Sequence, residues 1–151
     1  MEIMKVGKMI MDYVNIDKFE NTISVCLYIE QDRIMAIGKQ MKKINENAYM
    51  NGYNWEAFFD YYLSKYAPDI IENMEADPEA GMYAVYYNLS PENEIKAEKF
   101  VKVIQDLIEN EEELYRIVRE DGNEIKWDTL HLSSKKDLFK MLKDLNIPGL
   151  S

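Results

Sequence analysis

Two short strings decide the fold of this chain: Gly52–Phe59, with the sequence GYNWEAFF, and Asp77–Tyr83, with the sequence DPEAGMY. In the first, the glycine ends one helix, and Asn54 is placed to cap the next by accepting hydrogen bonds from first-turn amides. In the second, Asp-Pro starts a tight turn, and Gly81 is free to take a positive φ where the turn ends. The strings therefore predict a helix, a turn and then an aromatic strand.

The predicted helix has two contrasting faces. One face is apolar and aromatic, with residues at spacings of three and four: Trp55, Phe58, Phe59, Tyr62, Leu63 and Tyr66. Another face carries Glu56, Asp60 and Ser64 at positions i, i+4 and i+8. The helix ends before Pro68, because the residue preceding a proline is pushed out of the helical region. The aromatic face suits either the core or an interface, and the sequence leaves both readings open.

Strands are predicted on both sides of this helix in the sequence. Apolar and small polar residues alternate from Ile23 to Ile29, which is typical of a half-buried strand. Met9–Val14 is a plausible partner strand, with the polar stretch Asn15–Asn21 as a loose link between them. Met82–Tyr87 is expected inside the same sheet, paired with this N-terminal hairpin.

Helices account for most of the remaining sequence. A stripe from Ile34 to Ala48 predicts a helix whose start is expected after Gly38, since glycine costs about 1 kcal/mol in a helix interior. Ser90-Pro91 is a strong helix start, and further helices are predicted from Glu111 to Asp121 and within 130–151, a C-terminal extension. Residues 125–132 suit an edge strand or a loop. The whole pattern predicts a single α+β domain over residues 1–151, with a small, mainly antiparallel sheet packed against several helices.

The charge balance narrows the classes of partner. The chain has 151 residues, 28 acidic against 18 basic, and a formal net charge of −10. Nucleic acids and anionic membranes are therefore not expected as partners, because phosphate binding needs lysine and arginine. A basic protein is favoured, since complementary charge speeds association. With one cysteine, Cys26, no signal peptide and no apolar run of membrane-spanning length, we expect a cytoplasmic protein.

Few residue patterns support catalysis. The only histidine, His131, and the only cysteine, Cys26, have no neighbouring carboxylates at metal-ligand spacing, and no glycine-rich phosphate loop occurs. We therefore expect no metal and no cofactor. Two of the carboxylates of Glu56, Asp60, Asp77 and Glu79 could perform general acid–base chemistry, which would make the chain a small hydrolase.

The tyrosine content around the two strings points instead to binding. Seven tyrosines lie between residues 53 and 87, too many for all their hydroxyl groups to be buried and hydrogen-bonded. Tyrosine and tryptophan beside acids are typical anchors of protein interfaces. The candidate partner-binding residues are Tyr53, Trp55, Glu56, Asp60, Asp77, Glu79 and Tyr83.

The two strings, in this order and spacing, resemble the immunity protein 51 family of bacterial polymorphic toxin systems. The resemblance covers about residues 9 to 128, and the extension 130–151 lies outside it. It implies a non-enzymatic, cytoplasmic protein that is made beside a toxin and binds it, so that the producing cell survives. The acidity of the chain is compatible with a basic nuclease as the toxin, whose substrate cleft the protein would cover.

Two other functions remain open at this point. A carboxylate-dependent hydrolase would be favoured by raised pKa values in a concave pocket and disfavoured by a flat acidic face. A regulatory protein-interaction module without any toxin would use the same aromatic and acidic surface.

Overall fold

The protein combines one antiparallel sheet with helices, which confirms the predicted α+β class. The computed structural model describes residues 8–129. The sheet has the strand order β1-β2-β3-β5-β4 and consists of β1 (Lys8–Met11), β2 (Val14–Phe19), β3 (Thr22–Tyr28), β4 (Glu75–Ala76) and β5 (Met82–Asn88). The helices are α1 (Asp32–Ile44), α2 (Gly52–Tyr66), α3 (Pro68–Ile71), α4 (Pro91–Glu109) and α5 (Glu111–Asp121). The predicted helical extension 130–151 lies outside the described residues.

The helices lie on one face of the sheet because every second strand residue is apolar. Ile23, Val25 and Leu27 of β3 are buried, whereas the alternate residues are only half-buried. The predicted strand in the second string is confirmed as β5, which pairs with β3 so that Leu27 lies opposite Tyr83. Helix α4 crosses β2 and β3, and α2 packs against β5. None of the described helices is long and apolar enough to span a membrane.

The N-terminal hairpin differs from the prediction. Residues expected as a loose link, Asn15–Asn21, mostly form strand β2, which pairs with β3 along its whole length. The turn is tight and lies at Glu20, whose φ of 57° is left-handed. The polar residues misled the prediction because they alternate with Val14 and Ile16, which face the core while the polar residues face away.

Gly52 does not end a helix as predicted, because α1 already ends at Ile44 and Gly52 is the first residue of α2.

Three further expectations about caps and glycines were wrong. The cap of α2 is Asn51, whose side-chain oxygen accepts a hydrogen bond from the Asn54 amide at 3.0 Å. Gly38 lies inside α1, where a Cβ would come within 3.0 Å of the Met50 Cβ, so the glycine makes room for that side chain. Gly81 does not take a left-handed φ. A Cβ there would instead meet the Glu30 carboxyl carbon at 2.9 Å.

The two strings meet each other in the fold. The Gly52 amide donates to the Ala80 carbonyl at 3.1 Å, and a Cβ on Gly52 would overlap the carbonyl oxygens of Glu79 and Met82. The turn is closed by hydrogen bonds between the backbones of Glu79 and Met82. Because both nearest atoms belong to the backbone of a closed turn, they cannot move aside as a flexible side chain could. The start of α2 therefore sits directly on the turn that precedes β5.

This contact aligns an aromatic core. Trp55 stacks on Phe59 with ring centroids 5.9 Å apart, and Phe59 stacks on Tyr83 at 5.6 Å. Phe100 of α4 meets the Phe59 ring edge-on at 5.2 Å. Offset and edge-on pairs of this kind add about 0.5–1.5 kcal/mol each beyond their buried area.

Replacing Gly52 by alanine tests the contact between α2 and the turn. We expect Gly52→Ala to lower the free energy of unfolding by more than about 2 kcal/mol, because the added methyl group would force two backbone segments apart. Urea denaturation followed by circular dichroism measures the change.

Gly122→Ala is the matched control. Its Cβ would approach only the end of the Asn45 side chain, at 2.6 Å, and its φ of −56° suits alanine. Its cost should stay below about 1 kcal/mol. Equal losses in the two variants would show that the Gly52 contact is not a special constraint.

Candidate functional site

A concavity lies along the outer side of α2. It has a volume of about 640 Å³. Helix α2 forms its floor, and the segment 124–128, which follows α5, forms the opposite wall. We call this concavity the α2 pocket. Three of the seven predicted site residues line it: Tyr53, Glu56 and Asp60.

Helical spacing explains why these side chains meet. Tyr53, Ala57 and Tyr61 follow each other at intervals of four residues and form one row along α2. Glu56 and Asp60 belong to the neighbouring row. The small side chain of Ala57, between two tyrosines, leaves the space that becomes the pocket.

The opposite wall is fixed by hydrogen bonds to α2 and to the end of α5. The backbone amide of Asp128 donates to the Asn54 Oδ1 at 2.7 Å, and Asn54 itself is fully buried. The indole N–H of Trp127 donates to the Gly122 carbonyl at 3.0 Å. These bonds bring Asp128 and Glu124 to the pocket from far along the chain.

The carboxyl groups of Glu56 and Asp60 in the pocket are partly desolvated. Burial raises the pKa of Glu56, and the nearby charges of Asp60 and Asp128 raise it further. Asp60 is exposed as a residue, but the pocket still removes part of the water around its carboxyl group, and this desolvation raises its pKa.

Two lysines line the pocket, Lys65 and Lys126, and the first of them is already paired. Lys65 donates to the Asp121 carboxylate at 3.2 Å and to the Tyr61 hydroxyl at 3.1 Å. Tyr61 also donates to Asp121, at 2.7 Å. These bonds hold the pKa of Asp121 below its usual range. Lys65 is therefore neutralised by Asp121, which does not line the pocket.

Two predicted site residues belong to the core. Trp55 is 0% exposed and Tyr83 is 1% exposed, so neither side chain reaches the surface in this conformation. Both lie in the aromatic stack beneath α2. In this structure, the two side chains help to fix the position of α2.

The remaining two predicted residues lie outside the α2 pocket. Asp77 and Glu79 are exposed on the turn between β4 and β5. Burial raises the pKa of Tyr86, and the charges of Asp77 and Glu79 contribute, so the two acids lie toward the sheet face that carries Tyr86. The structure thus separates the four candidate carboxylates into two pairs.

Several pocket residues were missed in the sequence. Ala57 and Tyr61 follow Tyr53 at helical spacing and could have been found beside the acidic row. Glu124 and Asp128 carry no periodic signal, because hydrogen bonds to Asn54 and Gly122 bring their segment there. No cluster of at least three potential ligands able to hold a metal ion occurs within residues 8–129, and His131 lies outside this range.

Neutralising the pocket carboxyls should stabilise the fold. Folding raises the pKa of both carboxyls. The free energy of unfolding therefore decreases as pH rises from the pKa of the unfolded chain to the raised pKa of the folded protein. At neutral pH, the ionised carboxyls destabilise the fold. We expect Asp60→Asn to gain about 0.2–0.5 kcal/mol at neutral pH, the usual size of a like-charge pair one helical turn apart. Urea denaturation at several pH values measures the gain, which should vanish below about pH 4.

Glu113→Gln is a control for which the opposite change in stability is expected. A hydrogen bond from Arg116 holds the pKa of Glu113 below its usual range, so its ionised form stabilises the fold and this contribution disappears as pH falls. This variant should lose stability at neutral pH. If Asp60→Asn also lost stability at neutral pH, the ionised Asp60 carboxylate would stabilise the fold, contrary to this prediction.

Comparison with known proteins confirms the family that the sequence resembles. The family described as immunity protein 51 matches residues 14–123, within the range that the sequence resemblance covered. This match spans more than half of the chain and includes both strings, β2 to β5 and all of α1 to α5. No curated protein and no solved structure gave a significant match. The chain belongs to the immunity protein 51 family.

Proposed function

We propose that this protein neutralises a cognate bacterial toxin by binding it directly in the cytoplasm, without catalysing a reaction. The observation that carries the proposal is the family match over residues 14–123, since the family is one of immunity proteins. The α2 pocket supplies a concave surface for binding, with Tyr53 as an aromatic contact and Glu56 and Asp60 as charged contacts. Asp77 and Glu79, on the turn before β5, form a second acidic contact in this proposal.

The charge of the chain favours a basic toxin. With a net charge of −10, the protein attracts a basic partner over about a Debye length and repels nucleic acid. A nuclease fits this description, because its substrate cleft must itself be basic to bind phosphates. An acidic protein that occupies such a cleft blocks the substrate by steric exclusion and by charge.

Co-expression with proteins from neighbouring genes tests neutralisation. We expect one of these proteins to stop growth when expressed alone and to be tolerated when this chain is present, because a tight complex removes the free toxin. The two purified proteins should elute together in gel filtration. Their association rate should fall by about tenfold or more between about 0.01 M and about 0.15 M ionic strength, because salt screens the attraction.

An unrelated acidic protein of similar size and net charge is the control, and it should neither protect the cells nor bind the toxin. The proposal fails if no neighbouring protein is both toxic and bound by this chain. It also fails if the unrelated acidic protein protects equally well, because neutralisation would then need only charge.

The hydrolase remains the second candidate, because the α2 pocket is concave and the pKa values of both Glu56 and Asp60 are raised. Chromogenic esters, phosphate monoesters and glycosides provide a direct assay. A hydrolase would show turnover that disappears in both Glu56→Gln and Asp60→Asn but persists in Glu112→Gln, an exposed acid of α5. Turnover that is absent, or that survives in the pocket variants, removes this candidate.

A further inference from the structure

Three buried polar groups on or beneath α2 have no hydrogen-bond partner among the described residues. They are the Tyr83 hydroxyl, the indole N–H of Trp55 and the side-chain N–H₂ of Asn54. Leaving such a group unpaired costs about 1–3 kcal/mol, so an unpaired buried group in a native structure needs a physical explanation. Burial raises the pKa of Tyr83 well above its usual value, and the charges of Asp60 and Glu56 raise it further. Tyr83 lies beneath α2, where its ring stacks on Phe59, and its hydroxyl group is close enough to these two carboxyls to be affected by their charge.

The two carboxyls in the pocket also lack a paired cation: Lys126 lines the same pocket, but it forms no ion pair with either of them among the described residues. Neither Glu56 nor Asp60 forms an ion pair or hydrogen bond with a side chain within the described part of the chain. The nearest lysine on α2, Lys65, is bound to Asp121. Two desolvated carboxyls one helical turn apart repel each other, and a cation between them would remove that repulsion.

The aromatic row beside the carboxyls suits a flat cation. Tyr53 and Tyr61 stand on either side of Ala57 in the pocket lining. The Lys65 ammonium lies 5.5 Å from the centroid of the Tyr61 ring, so a cation already occupies one end of this row. A guanidinium group stacks on tyrosine faces more readily than an ammonium does, because it is planar and more weakly hydrated.

The geometry selects arginine among the cations. A metal ion would need a compact set of ligands, and residues 8–129 contain no such group of three or more. Carboxylates one helical turn apart stand about 5–6 Å apart at their Cβ atoms, which the forked donors of one guanidinium can span. The pocket volume of about 640 Å³ exceeds that of a single side chain, and it leaves room for the backbone on either side.

We propose that the α2 pocket binds an arginine side chain of the protein partner, with Glu56 and Asp60 as its carboxylate contacts and Tyr53 as the surface on which the guanidinium stacks. The assignment rests on the proposed function for its biological partner, since the toxin would present the arginine. The chemistry of the pocket can be tested without the toxin.

The test uses N-acetyl-arginine amide as a probe of the isolated chain. We expect saturable shifts of backbone amide NMR signals along Tyr53–Lys65, with a dissociation constant in the millimolar range, about −4 kcal/mol. N-acetyl-citrulline amide has nearly the same shape without the charge, and it should cause no saturable shifts. N-acetyl-lysine amide should bind more weakly than the arginine probe, because it cannot form the fork.

The double variant Glu56→Gln/Asp60→Asn should weaken arginine binding by at least about tenfold. Glu46→Gln/Glu112→Gln is the matched control, because both residues are exposed acids away from the pocket and the same number of charges is removed. Tyr53→Leu should weaken binding less, through the loss of stacking alone. Circular dichroism and urea denaturation confirm that each variant is folded.

The assignment is wrong if the arginine probe does not saturate, if citrulline binds equally well, or if the control variant loses as much affinity as the pocket variant. Toxin binding is measured separately with the same two double variants. Neutralisation that survives in Glu56→Gln/Asp60→Asn would overturn the pocket assignment and leave the proposed function standing. Arginine binding by a chain that neutralises no toxin would overturn the proposed function and leave the pocket chemistry intact.

Discussion

The close approach of Gly52 to the turn before β5 is the constraint on which the rest of the structure depends. Because a side chain at this position would collide with two backbone carbonyl oxygens, α2 can start against the turn only with glycine there. That start fixes both the position and the rotation of α2 relative to β5. The rotation in turn directs the aromatic face toward Tyr83 and Phe100 and the acidic face toward solvent.

Most of the interior could be predicted from the sequence, because the apolar residues of its strands and helices recur at regular spacings. Alternation identified β3, the turn string Asp77–Tyr83 identified β5, and spacings of three and four identified α1, α2, α4 and α5. Strand β2 was missed because its outward residues, Asn15 and Asp17, are those of a typical turn. Residue type could not show that Asn51 rather than Asn54 caps α2, since both residues are asparagine. In the structure, the Asn51 side chain accepts from the first turn of α2, whereas the Asn54 side chain accepts from the Asp128 amide.

The candidate site could be predicted only in part, because some of its residues are brought together by contacts between distant parts of the sequence. Tyr53, Glu56 and Asp60 lie on one helix, so the sequence alone predicts that they are neighbours. Whether they form a flat surface or a concave one depends on the segment 124–128, whose bond to α2 joins residues more than seventy positions apart in the sequence. The burial of Trp55 and Tyr83 likewise follows from the sheet behind α2, which no local pattern specifies.

The division of α2 into two faces separates the chemistry of the pocket from the stability of the fold. Substitutions at the outward positions 53, 56 and 60 change the lining of the α2 pocket and cost little stability, because the side chains that hold the fold together lie on the opposite side of the helix. The pocket can thus be altered by a few surface changes on an unaltered scaffold. Asn54 is the exception, since it is buried, belongs to the first turn of α2 and also anchors the wall at Asp128. The outer face of α2 can therefore be redesigned at several positions, but not at the one residue that joins both walls of the pocket.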